Sequence, residues 1–596
     1  MTSTIEDYAL LADGRCAALL GRGGSVDWLC WPRFDSDPSF AALLGSEDDG
    51  FWSIAPATAP RRASRCYRDD TLVMETGFEC ESGRVRAIDL MAVDTAAPCL
   101  VRIVEGCEGH VDMRMRLRAH GGCDAVEIAH DPLNEANSAL LRAGVGAMIL
   151  CSDVPLQTRG QSLIEAVFTL HAGERVTFTL THGDTPAHGP ASPLQALHDT
   201  ERYWRHWIER FDNNRTLWPQ AVRRSLLTLK ALIYRPSGAM VAAPTTSLPE
   251  TPGDSLNWDY RYCWLRDGSF AVEALLEAGF HEEARAWRDW LLRTLGASRR
   301  RIHVMYRVDG RRVPAERIVE SLAGWQGARP VRFGNAAATQ YQPDVFGEAL
   351  DCLYLTRRAG IAAAPEEPAL EARIVGWLLD HSAMPGSGIW ETRGAPRHHT
   401  LSRVMAWVAL DRFIKHRCED GPGPGDALVQ RAAGLHRKLH EEVCTRGWDT
   451  RRGAFVRSYG ESQLDASVLL IPLVGFMRAD DPRMSATIDV VRAELSEDGL
   501  IRRWRRGESE AAQEGALLAC SCWMADCLYL RGDESAAHAQ FERVLAVAND
   551  LGLLAEEYDV RVRSLVGNFP QALSHLAIVK TALLLSGSTQ GHRSGG

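Results

Sequence analysis

The sequence predicts a multidomain β + α protein: an N-terminal antiparallel β-sandwich followed by a closed ring of paired helices. Period-two alternation dominates roughly the first 190 residues, the period becomes helical near Pro193, and helical hairpins then repeat as far as Leu585. These observations set the boundaries at 1–192 for the sandwich, 193–215 for a linker helix, 216–586 for the helical part and 587–596 for a disordered tail.

In the first region, "HVDMRMRLRA" sets Val111, Met113, Met115 and Leu117 against Asp112, Arg114, Arg116 and Arg118. "RVTFTLTHG" sets Val176, Phe178 and Leu180 against Thr177, Thr179 and Thr181. One buried and one wet face, with Gly-rich turns between, predict antiparallel strands. "LHDTERYWRHWIERF" then places Leu197, Trp204, Trp207, Ile208 and Phe211 at helical spacing, with an irregular "DNNRT" behind it.

From Leu217 the helices come in pairs. Residues 273–292 and 526–545 each read as an apolar helix, a Gly turn and an acid-started helix; aligned on Gly279 and Gly532, Ala284 matches Ala537 and Leu292 matches Leu545. "ALDRFIKHRCEDGPGPGDALVQRAAGLHRKL" is a looser third hairpin. Such repetition predicts a ring or a solenoid. Connecting loops rich in Trp, Tyr, Arg, Gly and Pro favour a ring with a loop-built pocket at one end.

The net charge of −10 gives a nucleic-acid partner no electrostatic support. Fifteen cysteines, without CxxC pairs or His spacing, argue against a disulfide framework and a structural zinc. Cys520 and Cys522 lie in an apolar helical run and read as core. The N-terminus carries acids where a signal peptide needs positive charge. The apolar stretch Val468–Met477 is too short to span a bilayer and contains Pro472. The expectation is a cytoplasmic protein with no membrane partner, no cofactor and no metal.

Chemistry is expected from the loops. "NWDYRYCWLRDGSF" (Asn257–Phe270) interleaves Trp258, Tyr260, Tyr262 and Trp264 with Asp259, Arg261, Arg266 and Asp267. Flat aromatic faces beside Arg and Asp suit sugars, which present C–H faces and a ring of hydroxyls. The competing reading is an aromatic core with a surface ion pair. In "SGIWETRGAPRHHTLSRVMAW", Glu391 follows Trp390, whose apolar wall would raise its carboxyl toward a general acid. A structural Glu391 paired with Arg393 competes. His398 and His399 lack ligand spacing. "ARPVRFGNAAATQYQPDVFGEALD" contributes Arg332, Asn335, Gln340 and Gln342, and "QEGALLACSCW" brings Glu514 to a helix start, where capping competes. In "LLAEEYDVRVRSLVGNFPQALSH", Glu556, Glu557 and Asp559 crowd beside Asn568 and Gln571; a solvated helix cap competes with one half of an acid/base pair.

Taken with the opening "IEDYALLADGRCAALLGRGGSVDWLCWPRFDS", the stretches "NWDYRYCWLRDGSF", "RPVRFGNAA", "GIWETRG" and "NDLGLLAEEYD…GNFPQALSH" resemble, in order and over nearly the whole chain, glycoside hydrolase family 15, the glucoamylase and bacterial trehalase group. The resemblance implies a trehalase-like N-terminal β-sandwich, an (α/α)6 barrel, and an inverting exo-acting hydrolase of small α-glucosides. It implies Glu391 as general acid and Glu556 as general base. It also implies sugar contacts at Trp264, Arg266 and Asp267, with Trp390, Arg393 and Glu557 beside the two acids. Tyr341, Pro343, Cys522 and Trp325 depart from frequent residues and bear on the leaving-group subsite. Inversion needs two carboxyls roughly 6.5–9.5 Å apart with a water between. α,α-Trehalose is the first substrate expected; maltose or isomalto-oligosaccharides come second. A phosphorylase, which needs one essential carboxylate, and a non-catalytic sugar-binding protein are the readings from other classes.

Overall fold

The long strand Cys99–Arg118 organises the N-terminal region of the computed structural model. Its first half pairs with Gly83–Met91 and Arg175–His182, its second with Phe51–Pro56 and Leu163–His171, all antiparallel. One antiparallel network results, continuous through this strand. The expected alternation is present: Val111, Met113, Met115 and Leu117 are buried while Asp112 and Arg114 are exposed. The structure describes all residues except 1–3, 121–128, 132–136, 144–145, 161, 184–188, 298–300, 420–426, 506–513 and 588–596. The tail expected at 587–596 therefore lies, but for Gly587, outside the described residues.

At the change of period, Ser192 caps α1 (Pro193–Ile208), whose first residue is the proline that suits a helix start. Leu197, Trp204, Trp207, Ile208 and Phe211 are buried as the spacing requires. The helical region follows with α2 (Pro219–Leu232), α3 (Leu265–Glu277), α4 (His281–Ala297), α5 (Asp344–Arg358), α6 (Glu367–His381) and α7 (Thr400–Glu419). It continues with α8 (Ala427–Arg446), α9 (Leu470–Leu473), α10 (Pro482–Leu495), α11 (Leu518–Leu530), α12 (Glu534–Leu545) and α13 (Ala572–Leu585). The three hairpins read from the sequence are α3–α4, α7–α8 and α11–α12.

Contacts among alternate helices close on themselves: α3 packs on α5, α5 on α7, α7 on α9, α9 on α11, α11 on α13, and α13 back on α3. Others lie against this ring: α4 on α3, α8 on α7, α12 on α11 and α2 on α13. Helices α11 and α13 are apolar on nearly every side, as helices surrounded by neighbours must be. Cys520 and Cys522 sit inside α11, both fully buried. Among the described residues no helix is long and apolar enough to cross a membrane. The ring fixes the loops before α3, α5, α7, α11 and α13, which carry the polar motifs.

Candidate active site

Glu557–Asp559 is a strand, not a helix cap; it pairs with Ala516–Leu517 on one side and Ser564–Val566 on the other. Glu556, just before it, accepts a hydrogen bond on Oε1 from the Tyr260 hydroxyl at 2.7 Å. Its Oε2 is buried and has no protein partner. Gly567 closes over this carboxyl at φ +81°, and a Cβ there would stand 2.9 Å from Oε2, so both backbone and room demand glycine. Asn568 ties the two loops together, donating to the Trp258 carbonyl at 2.9 Å and accepting from Thr245. Gln571 instead caps α13. Asp559 takes the fork of Arg561, at 3.0 and 2.7 Å, so the expected support for Glu556 from this acid does not form.

Glu391 sits in the left-handed region, at φ +50°, in a turn begun by Gly388. Its carboxylate accepts from Arg266 Nη1 at 3.0 Å and from the Trp264 indole N–H at 3.2 Å. Gln340 holds the Glu391 carbonyl at 3.0 Å. Arg266 also donates to Asp267 at 2.7 Å, and the second oxygen of Asp267 is buried without a partner. The competing Glu391–Arg393 pair is absent from the structure. Arg393 forks instead onto Glu316, and its guanidinium lies 4.0 Å from the centre of the Trp258 ring. Trp390 donates to Asp465 at 2.9 Å and stacks on Trp523.

These loops enclose a cavity of about 260 Å³, close to the lower end of the ~300–1,000 Å³ usual for small-molecule sites. Trp258, Tyr260, Trp264, Trp390, Glu391 and Arg393 face it. Arg266 and Glu556 touch lining groups, Glu391 and Tyr260, and Asp267 stands behind them on Arg266. A larger groove, about 1060 Å³, runs along α1 and shares no residue with this pocket.

The pocket is also lined by residues that the sequence had not singled out: Glu250, Arg503 and Trp504. Arg503 Nη2 meets Glu250 at 2.5 Å, Glu514 at 2.9 Å and Glu557 at 3.0 Å. Capping does not explain Glu514, since α11 begins at Leu518 with no side-chain cap. Glu557 is fully buried and does not line the pocket; it meets Arg503, which does. Oxygens of the three acids lie within 4.8 Å of one another, a spacing that suits a cation, but the Arg503 guanidinium already takes that place. His399 pairs with Ser458 at 3.0 Å, and burial pulls it down to about 4.

Burial also governs the acids. It lifts Glu391 against the pull of Arg266, and Glu556 against Arg503 and Tyr260. Glu250 is pushed up to about 8 and Glu557 well above the carboxylate range, because desolvation and mutual repulsion outweigh one shared arginine. The expected separation of acid and base is therefore not one of direction, since both candidates rise. Each is held down by an arginine, Glu391 by Arg266 and Glu556 by Arg503, and Tyr260 adds a hydrogen bond to Glu556.

The model of glycosyl hydrolases family 15 matches residues 219–583, and the trehalase-like N-terminal model matches residues 1–131. A trehalase of Mycolicibacterium smegmatis is 34% identical, the match covering 97% of this chain and 91% of that protein. A trehalase of Thermoplasma volcanium is 30% identical over 97% of this chain and 93% of its own length. A bacterial glucoamylase solved with acarbose superposes with a TM-score of 0.74 at 12% identity, covering 99% of this chain and 95% of that one; the likeness is one of fold.

Proposed function

The chain belongs to glycosyl hydrolase family 15 and is a glycoside hydrolase, and from that premise we propose that it is an inverting, exo-acting α-glucosidase that cleaves α,α-trehalose and releases β-D-glucose. We read the two regions as a β-sandwich (1–192) and an (α/α)6 barrel (216–586), joined by a linker (193–215), in the cytoplasm.

The observation that carries this reading is the pair of buried carboxyls, 165 residues apart in sequence, of which Glu391 lines the aromatic cavity and Glu556 stands one hydrogen bond behind it through Tyr260. In this reading Glu391 protonates the glycosidic oxygen. Its desolvated site and raised proton affinity support that role. Glu556 takes the proton of the attacking water. Its unpaired Oε2 is an acceptor for that water, while Tyr260 holds Oε1. Asp267 presents its free oxygen to hydroxyls of the sugar being transferred, and Trp264 and Trp390 supply apolar faces. Glu557 supports the base side through Arg503. The relatives named as trehalases support trehalose over maltose or isomaltose.

An NMR time course of purified protein with trehalose, maltose and isomaltose tests both parts. Trehalose is expected to be consumed fastest, with one β-glucose released per cleavage before mutarotation. Release of α-glucose alone from trehalose, with no β-glucose before mutarotation, would end the inverting reading; preference for maltose would keep the mechanism and change the substrate.

A further inference from the structure

We propose that Glu316 is a specificity-determining residue for the leaving-group sugar, acting as a positioning residue that holds Arg393 against Trp258 in a wall anchored on the N-terminal β-region. This rests on the reading of the pocket as a site for α-linked disaccharides.

Glu316 is not a lining residue, but it touches three groups that build the wall. Its two oxygens receive the Arg393 amino groups at 3.1 and 2.6 Å, the Ala336 N–H at 3.1 Å, and Arg332 Nε at 3.4 Å. Both guanidiniums pack on one ring, Arg393 at 4.0 Å and Arg332 at 4.6 Å from the centre of Trp258. The two cations repel each other, and a single carboxylate neutralises the pair. Burial pushes that carboxyl up, but the Arg393 and Ala336 hydrogen bonds outweigh it and hold it ionised, below its ordinary value.

The two arginines depend on Glu316 to different degrees. Arg332 is also fixed by the Ser255 and Asn257 carbonyls and by the Asn257 side chain, at 2.8–3.0 Å. Arg393 has only Glu316 and Trp258 among its described contacts, and its side chain is 42% exposed. Without the fork, a long exposed arginine samples many rotamers. Arg266 and Asp267 are buried behind Glu391, with side chains 11% and 2% exposed, whereas Arg393 stands at the open mouth of the pocket beside Trp258. An exo-acting pocket holds the transferred sugar at its closed end and the departing sugar at its mouth. The wall therefore addresses the departing sugar.

The segment carrying Glu316 is gripped from the β-region. Arg317 pairs with Asp37 at 2.8 Å, Arg307 with the buried Asp35 at 2.7 Å, and Arg33 with Asp309 at 2.9 Å. Arg261 reaches the Ser36 carbonyl at 2.7 Å while forking onto Asp259, which also accepts the Gly334 N–H at 3.0 Å. Gly334 is required there, since at φ +80° a Cβ would meet the Ala315 carbonyl at 2.6 Å. The loop 33–37 thus sets the height of Glu316 relative to Trp258.

The test compares Glu316→Gln with the parent on trehalose and on α-glucosyl fluoride, which has no departing sugar. Losing a charge-assisted fork is expected to raise KM for trehalose about 10- to 100-fold, with kcat/KM for the fluoride within about twofold of the parent. The double variant Glu316→Gln/Arg393→Gln should be no worse than Arg393→Gln alone. Equal losses on both substrates, or additive losses in the double variant, would overturn the inference while leaving the parent's hydrolysis intact. A parent that hydrolyses neither compound would overturn the reading of the site itself, and the inference with it. Unfolding temperatures of each variant exclude misfolding as the cause.

Discussion

Replacing Glu250 by glutamine should make the protein more stable near neutral pH. Glu250 is buried beside Glu514 and Glu557 on one arginine and is pushed up to about 8. The sign follows from proton uptake. Above an unfolded value of about 4.3 the unfolded chain releases this proton while the folded chain keeps it, so folding becomes less favourable as pH rises from about 4.3 to about 8. At ~1.4 kcal/mol per unit, the parent gives up roughly 4 kcal/mol by pH ~7. Glutamine keeps an oxygen for Arg503 and carries no proton to lose. Allowing about 1 kcal/mol for an imperfect hydrogen bond leaves a gain of about 3 kcal/mol. With an unfolding entropy of about 2.1 cal/mol/K per residue over the whole chain, that is about 2 °C in Tm. Calorimetry at pH ~4, ~7 and ~8.5 reads it: the variant should lead at the two higher values and trail by that ~1 kcal/mol at the lowest, where both side chains are neutral. A variant less stable than the parent at pH ~8.5, or a gap that ignores pH, would refute the account of a proton-holding cluster.

Two further outcomes concern the reaction. Glu391→Gln should lower trehalose turnover by about 10²–10⁴-fold, with a smaller loss on α-glucosyl fluoride, whose leaving group needs no proton; equal losses would remove Glu391 from the acid role. Tyr260→Phe deletes the 2.7 Å donor to Glu556, so the base should hold its proton more tightly and the acidic limb of the kcat/KM profile should move up by about one pH unit. A limb that stays in place would mean that Glu556 does not titrate in that range.

The motifs legible in the sequence are the ones whose information is local. Trp264, Arg266 and Asp267 are adjacent in the chain, so one loop announces them. Glu391 is marked by the turn residues and tryptophan around it, and Glu556 by its neighbouring acids. The pairings were less legible. Arg393 was weighed against Glu391 because they are two residues apart, yet it chooses Glu316, 77 residues away. Glu557 and Asp559 looked equivalent beside Glu556, but strand geometry sends one to Arg503 and the other to Arg561. Glu250 and Arg503 carried no local signal at all; they meet across 253 residues.

By itself the sequence determined the order of the two regions, the burial pattern of strands and helices, and the loops that bear aromatic and acidic side chains. Those follow from periodicity and from residue chemistry, which act over a few neighbouring positions. Only the tertiary structure decided which arginine each buried acid meets, and that three glutamates share one arginine. It alone decided that a β-region loop supports the rim of the pocket. Charge pairing in a low-dielectric interior depends on distances of a few ångströms between groups far apart in the chain, and only the closed packing of the helices sets those distances.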